Sequence, residues 1–317
     1  MTTALEPTGK LDAAAMVAVN GPEDGLLDWD SIDWDTAEKE VRRLRQRIFT
    51  ASRNGDLRKV RNLQRLMLRC RSNALVAVRR VAQQNTGRNT AGVDGVVALW
   101  PEARIELARW IQQRSSSWVA MPVRRVFIPK AGGKRRPLGI PVIADRALQA
   151  VVLNALEPEW EARFEPRSYG FRPGRGCHDS IEAIFATGKG PRSKRVWVLD
   201  ADLAAAFDRI DHQALLDRLG RFPAREHVRR WLKAGVIDRG RFAPTEEGTP
   251  QGGVISPLLM NVALHGMEHA AGVRYLTGTH VGHSTPGSPV VVRYADDLVA
   301  LCSSREQAEQ VKARLAG

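Results

Sequence analysis

The chain has 317 residues, 43% of them hydrophobic, which is enough for one large domain or a few smaller ones with a sizeable core. Its 48 Lys and Arg outnumber its 35 Asp and Glu, so the net charge is +13 and we predict a polyanionic partner, either nucleic acid or an anionic membrane surface. No apolar run reaches the roughly 18 residues that span a bilayer, and the three separated cysteines indicate no disulfide framework and no zinc pair. The composition therefore predicts a cytoplasmic protein with no membrane partner.

The N-terminal third changes character twice. Residues 1–25 are small and polar without a hydrophobic period, which predicts a disordered leader. An acidic stretch with Trp29 and Trp34 follows, and then residues 41–89 carry 14 Lys and Arg against one acid, Asp56. Apolar residues at helical spacing predict two amphipathic helices there, separated by a turn at 53–56. So dense a basic face favours contact with nucleic acid over an ordinary solvated surface.

The middle of the chain mixes strands and helices. Residues 122–142 predict a cation-rich β-hairpin around a Gly-Gly turn, followed by a helix at 144–156. Residues 196–203 predict a short strand ahead of a helix that begins near Asp211. Further on, Ser256 is expected to be a helix N-cap and Pro257 the first helical residue. Such a mixture is typical of α+β or α/β folds.

Two adjacent aspartates interrupt an apolar run, VVVRYADDLVALC, at 290–302. Ala295 and Asp296 fit a tight turn between two buried strands, and Asp297 follows directly. An Asp-Asp pair is most often a solvated turn. Two like charges between apolar strands repel each other, however, and a divalent cation would offset that repulsion.

A further carboxylate for such a cation is available in VWVLDADL, at 196–203. Asp200 and Asp202 share one face of a strand with a period of two residues, and spacing alone does not choose between them. Carboxylate ligands suit Mg²⁺ or Mn²⁺, and a pair of such ions is typical of phosphoryl transfer. In a strongly basic chain, the phosphates are expected to belong to nucleic acid and nucleotides.

Five segments resemble, in order, the successive motifs of bacterial group II intron reverse transcriptases, also called maturases. They are PKAGGKRRPLGIP, SYGFRPGRGCHDSI, DLAAAFDRIDH, TPQGGVISPLLMNVAL and RYADDLV. The tract from Trp34 to Gly95 resembles that family's N-terminal domain, and the similarity covers roughly 29–317.

The resemblance implies a role for individual residues. Asp202, Asp296 and Asp297 match the catalytic, metal-binding aspartates. Five further residues match positions that contact the incoming deoxynucleoside triphosphate: Lys130, Arg136, Arg124, Phe207 and Gln251. Phe207 corresponds to the aromatic gate that excludes a ribose 2′-OH. Arg172 and Arg175, in GFRPGRG, are candidate contacts to the nucleic acid.

The resemblance also implies an α+β right-hand polymerase, divided into a leader at 1–25, a helical N-terminal domain at 26–105, fingers at 106–195 and an incomplete palm at 196–317. The implied partners are group II intron RNA, an RNA template with a DNA primer, deoxynucleoside triphosphates and a DNA target site. A helical thumb normally follows the palm, and the chain ends about twenty residues after Asp297. We therefore expect a complete catalytic centre without a primer clamp.

Two alternatives differ in class. One is a catalytically impaired maturase fragment that binds intron RNA. The other is a zinc hydrolase, because His265, Glu268 and His269 in HGMEH fit an HxxEH pattern. No third ligand is evident for zinc, and an ordinary helix end explains HGMEH better.

Overall fold

The computed structural model describes residues 28–114, 117–129, 131–133, 135–189, 193–276 and 283–316. In those ranges the α-helices are α1 (Trp34–Arg53), α2 (Leu57–Arg69), α3 (Arg71–Arg79), α4 (Pro101–Arg114), α5 (Ile143–Glu161), α6 (Cys177–Gly188), α7 (His212–Leu219), α8 (Arg225–Leu232), α9 (Ser256–Ala263), α10 (Met267–Ala270) and α11 (Arg305–Ala316). The strands are β1 (Val123–Pro129), β2 (Arg135–Ile140), β3 (Trp197–Asp202), β4 (Val236–Asp238), β5 (Arg241–Ala243), β6 (Val290–Tyr294) and β7 (Asp297–Cys302). The predicted leader at 1–25 lies outside the described residues.

The basic N-terminal tract folds as predicted, into two amphipathic helices. The break between α1 and α2 lies at Asn54–Asp56, where Gly55 has a φ of 71° and the Asp56 carboxylate caps α2 by accepting from the Lys59 amide. Apolar residues of both helices pack against α5, whereas most of the arginines remain exposed. Trp29 also anchors the preceding acidic stretch, since it is buried and its Nε1 donates to Gln83 Oε1 at 3.1 Å.

Helix α5 is the central element of the core. It extends to Glu161, five residues beyond the predicted end, and it passes through Pro158. It is buried on nearly every side, because α1, α2 and α9 pack around its C-terminal half and α3 and α4 contact its N-terminal half. A helix that is buried on nearly every side fits a position at the centre of a fold.

The strands form two sheets. The first, with the order β2-β1-β4-β5, contains the predicted antiparallel hairpin β1–β2 and a parallel pairing of β1 with β4. The second, with the order β3-β7-β6, is wholly antiparallel. Helix α11 covers one face of this three-stranded sheet, around Ala300 and Cys302, and α6 packs on the other, around Val292 and Leu301.

Helix α9 begins one residue earlier than predicted. Ser256 is its first residue and Ile255 occupies the N-cap position. The Ser256 hydroxyl accepts a hydrogen bond from Thr249 Oγ1 at 2.9 Å and caps no helix amide, which explains the difference. Of the helices in the described ranges, none combines the length and the apolar character needed to cross a lipid bilayer.

Candidate active site

The three-stranded sheet brings Asp202 and Asp297 together. They are direct partners across the antiparallel β3–β7 pair, at the last residue of β3 and the first of β7. Directly opposed residues present their side chains on the same face of a sheet, with Cβ atoms roughly 5 Å apart. Both residues are exposed, so the two carboxylates lie side by side at an accessible end of the three-stranded sheet, the carboxylate edge.

The register also separates the two aspartates that spacing could not distinguish. Asp200 lies on the same face as Asp202 but pairs with Val299, two pairs along the ladder from the Asp202–Asp297 pair. Only Asp202 is level with the aspartate that follows the turn.

The turn itself carries Asp296. It joins β6 to β7 through Ala295 and Asp296, as the sequence predicts. Ala295 has a φ of 58°, a left-handed conformation that costs a non-glycine residue roughly 1–2 kcal/mol. The Asp296 carbonyl accepts from the Leu203 amide at 3.1 Å, which ties the turn to the end of β3.

These carboxylates suit a magnesium ion in their chemistry. Mg²⁺ favours oxygen ligands and is usually held by one or two carboxylates, with substrate phosphates and water completing the set. Among the residues that the structure describes, no three His, Cys, Asp or Glu side chains form a ready-made metal cluster. The opposed pair Asp202 and Asp297, with Asp296 beside it in the turn, fits an ion that also binds its substrate.

The β1–β2 hairpin contacts the loop before α9. Arg136 Nε donates to Gln251 Oε1 at 2.9 Å, and the Gly139 amide donates to the Gln251 carbonyl at 2.6 Å. Arg124 lies half-buried on β1, and its Nε has no partner among the described residues. Lys130 lies outside the described residues. Two of the predicted nucleotide contacts, Arg136 and Gln251, are therefore brought into direct contact.

Comparison with known proteins identifies the family. The model described as "Reverse transcriptase (RNA-dependent DNA polymerase)" matches residues 128–316, and "N-terminal domain of reverse transcriptase" matches 29–111. The chain belongs to the reverse transcriptase family. This membership and the mixed helix and sheet architecture confirm the predicted α+β polymerase fold.

Individual relatives agree with this assignment. Protein YkfC of Escherichia coli K12 is 37% identical over an alignment of 273 residues that covers 77% of this reverse transcriptase and 71% of YkfC. Group II intron-encoded protein LtrA of Lactococcus lactis subsp. cremoris is 35% identical over 191 residues, 58% of this chain but 31% of LtrA. The resemblance to group II intron proteins is thus confirmed, although the chain spans less than a third of LtrA.

Solved structures are more distant. A chain of the partial Cas6-RT-Cas1–Cas2 complex is 21% identical and is matched over 74% of this reverse transcriptase and 38% of its own length, with a TM-score of 0.43. Telomerase from Candida albicans is 17% identical, with 62% and 39% coverage and a TM-score of 0.42.

Phe207, the predicted gate, is only 5% exposed in this reverse transcriptase. Its ring lies edge-on to Phe171, with centroids 6.0 Å apart, and its carbonyl accepts from the Thr249 amide at 2.7 Å. The loop after β3 is therefore fixed to the loop before α9. The contact of Phe207 with a nucleotide stays a prediction.

The two predicted nucleic-acid contacts differ in environment. The Arg172 guanidinium is buried and donates to both Glu161 carboxylate oxygens, at 2.9–3.2 Å, and to the carbonyls of Glu165 and Ser168. Arg175 is half-buried, and burial lowers the pKa of its guanidinium. Contact between Arg172 and nucleic acid would require these internal hydrogen bonds to break.

The HGMEH segment supports the core. His265 packs against the rings of Trp160 and Phe164, and burial lowers its pKa to about 4. Glu268 accepts from the Arg167 amide at 3.1 Å and from the Tyr275 hydroxyl, so its carboxylate oxygens already have protein partners.

Sequence reasoning missed Arg293, whose guanidinium donates a hydrogen bond to the Ala295 carbonyl in the turn. Its guanidinium is 2% exposed and contacts Ser168, Asn261 and Ala295. The signal was available as the one charged residue within the apolar strand VVVRY. Arg293 therefore links the turn that carries Asp296 to Asn261 and Ser168.

Proposed function

We propose that this chain carries the RNA-directed DNA polymerase centre of a group II intron reverse transcriptase. The reaction is attack of a primer 3′-OH on the α-phosphate of a deoxynucleoside triphosphate, with release of pyrophosphate. The observation that carries the proposal is the register of β3 and β7, which sets Asp202 opposite Asp297 beside the turn at Asp296. The three aspartates lie within residues 128–316, the segment that matches the reverse transcriptase family.

The residues have distinct proposed roles. Asp202, Asp296 and Asp297 would hold Mg²⁺, or Mn²⁺ in its place; when bound, a pair of such ions activates the attacking hydroxyl and stabilises the leaving pyrophosphate. Arg136 would bind triphosphate oxygens with its guanidinium fork, with Lys130 and Arg124 adding positive charge. Gln251 holds Arg136 in place, and Phe207 would limit the space beside the sugar.

The N-terminal helices supply the proposed RNA surface. Their exposed basic side chains include Arg42, Arg43, Arg47, Arg58, Lys59, Arg65 and Arg69. Clustered arginines bind phosphates and make affinity strongly dependent on salt. We infer that group II intron RNA and the template–primer bind here and along the site, in support of splicing and intron mobility at a DNA target. The relation to a group II intron-encoded protein supports this inference.

The direct test is Asp296→Asn. Loss of one charged oxygen ligand should lower Mg²⁺-dependent primer extension on an RNA template by on the order of 10³-fold, as removal of a catalytic group typically does. Binding of intron RNA, measured by filter retention at several salt concentrations, should change less than about twofold, because the basic helices are untouched. Primer extension at the parent rate would overturn the assignment.

A second candidate is a maturase that binds intron RNA without polymerase activity. It is favoured by the exposed basic helices and by the absence of a three-carboxylate cluster among the described residues. Salt-dependent RNA binding by the parent chain, with no extension in Mg²⁺ or Mn²⁺, would support this candidate over the polymerase.

A further inference from the structure

A buried guanidinium, that of Arg293, is hydrogen-bonded to the turn that carries Asp296. Arg293 Nη1 donates to Asn261 Oδ1 at 3.0 Å and to the Ala295 carbonyl at 2.9 Å, and Nη2 donates to Ser168 Oγ at 2.6 Å. Two of these acceptors belong to other parts of the chain, so the side chain joins β6 and its own turn to α9 and to the 167–170 segment. The third acceptor is the backbone of the turn itself.

The 167–170 segment is bound to the same strand by its backbone. The Arg293 amide donates to the Arg167 carbonyl and the Tyr169 amide donates to the Arg293 carbonyl, both at 2.9 Å. Asn261, fully buried, relays the contact, because its Nδ2 donates to the Gly170 carbonyl at 2.9 Å. A Cβ atom on Gly170 would overlap the Ala295 backbone. The turn is therefore held by the hydrogen bond from Arg293 and by the close packing of Gly170 against the Ala295 backbone.

This network acts on the strained residue of the turn. Ala295 is a non-glycine residue with positive φ, one of four among the described residues, and Asp296 and Asp297 are the next two residues. A rotation of the backbone at Ala295 would move Asp296, both its side chain and the carbonyl that accepts from the Leu203 amide. The Arg293 hydrogen bond to the Ala295 carbonyl opposes that rotation.

We propose that Arg293 is a positioning residue for the candidate metal-binding carboxylates: its fork fixes the Ala295 carbonyl against Asn261 and Ser168 and so sets Asp296 and Asp297 relative to Asp202. Its kinetic consequence rests on the proposed polymerase function. Its structural consequence, a rigid turn, does not.

The test compares Arg293→Lys with Arg195→Lys. Lysine keeps the charge but cannot reproduce a planar fork that serves three acceptors. Arg195 is a matched control, since its guanidinium also donates to backbone carbonyls of this part of the chain, those of Thr285 and Ser288, but near the start of β3 and away from the turn. Three quantities are measured on each protein: hydrogen exchange of the peptide 290–302 and of the Leu203 amide, Mn²⁺ affinity by electron paramagnetic resonance, and primer-extension kinetics.

For R293K we expect faster exchange at the turn, weaker Mn²⁺ binding by about 10-fold, and a kcat lowered by about 10–100-fold with a smaller change in nucleotide KM, because a small displacement of catalytic groups has effects of this size. R195K should match the parent in all three. If R293K also matches the parent, the positioning role is overturned.

Two further outcomes are separable. If the parent extends no primer while R293K still loosens the turn and weakens Mn²⁺ binding, the polymerase function fails and the positioning role stands. If R293K does not fold, Ser168→Ala replaces it, since it removes one of the three acceptors and leaves the charge in place. Unchanged exchange, Mn²⁺ affinity and kcat in folded S168A would then overturn the proposal.

Discussion

The Glu268 carboxylate is a charge-bearing group in an environment that disfavours its charge. It is 3% exposed, and burial, with Glu165 nearby, raises its pKa to about 7. The hydrogen bonds from the Tyr275 hydroxyl and the Arg167 amide, and the charge of Arg167, lower the pKa but offset only part of this rise. At neutral pH this carboxyl is therefore near its midpoint in the folded protein.

Glu268→Gln should change how stability depends on pH. The folded pKa of about 7 lies above the ordinary value of 4.5, so the folded state holds this proton more tightly than the unfolded state. The resulting stability is fully present below pH 4.5 and is lost as the pH rises through about 7. Relative to the parent, E268Q should gain up to about 3 kcal/mol in the free energy of unfolding between pH 5 and pH 8.

Urea denaturation at each pH measures this difference. Glu106→Gln, on the exposed side of α4, is the control, because it removes a carboxylate that is exposed to solvent. A parent-to-E268Q difference that stays constant from pH 5 to pH 8 would contradict the buried-acid account.

At the residue scale, the sequence predicts types of group better than their partners. A period of two residues put Asp200 and Asp202 on one face, but the choice made by geometry comes from the β3–β7 register, a pairing between distant segments. Arg172 and Arg293 are arginines in a basic chain, and local sequence does not distinguish an arginine that binds phosphate from one that is hydrogen-bonded in the interior.

At the scale of elements, the β6–β7 hairpin depends on a close approach by the segment before α6. Gly170→Ala should destabilise the fold by about 1–3 kcal/mol, because a Cβ there would lie 2.8 Å from the Ala295 Cα and would displace the turn. Primer extension should fall with it. Thermal unfolding and extension assays measure the two effects.

The control for that substitution is Gly188→Ala, at the end of α6, where a Cβ would meet no atom within 4 Å. Identical melting temperatures and extension rates for G170A and G188A would show that the turn tolerates displacement, contrary to the packing seen here.

Elements with strong local signals were predictable. The break before Asp56, the β1–β2 hairpin and the turn at Ala295 each rest on a few neighbouring residues. Strands β4 and β5 were not predicted, because each has three residues and β4 is stabilised by a parallel pairing with β1, distant in the sequence. Helix α5 was predicted too short, since its end is set by burial of Trp160 rather than by a local stop signal.

At the scale of the molecule, helix α5 connects regions that the sequence predicts as separate domains. Residues of α5 belong both to the core shared with α1, α2 and α9 and to the core shared with α3 and α4. The basic helices and the carboxylate edge are thus attached to a common centre. The boundaries at 26–105, 106–195 and 196–317 stay predictions.

The central claim is that Asp202, opposite Asp297, belongs to a nucleotidyl-transfer site. The most direct measurement is single-nucleotide incorporation on an RNA template by Asp202→Asn and by Asp200→Asn, which removes an exposed carboxylate from the same face of the same strand. We predict that D202N loses on the order of 10³-fold in rate, whereas D200N stays within about threefold of the parent. Equal activity of D202N and the parent, or an equal loss in both variants, would contradict the account.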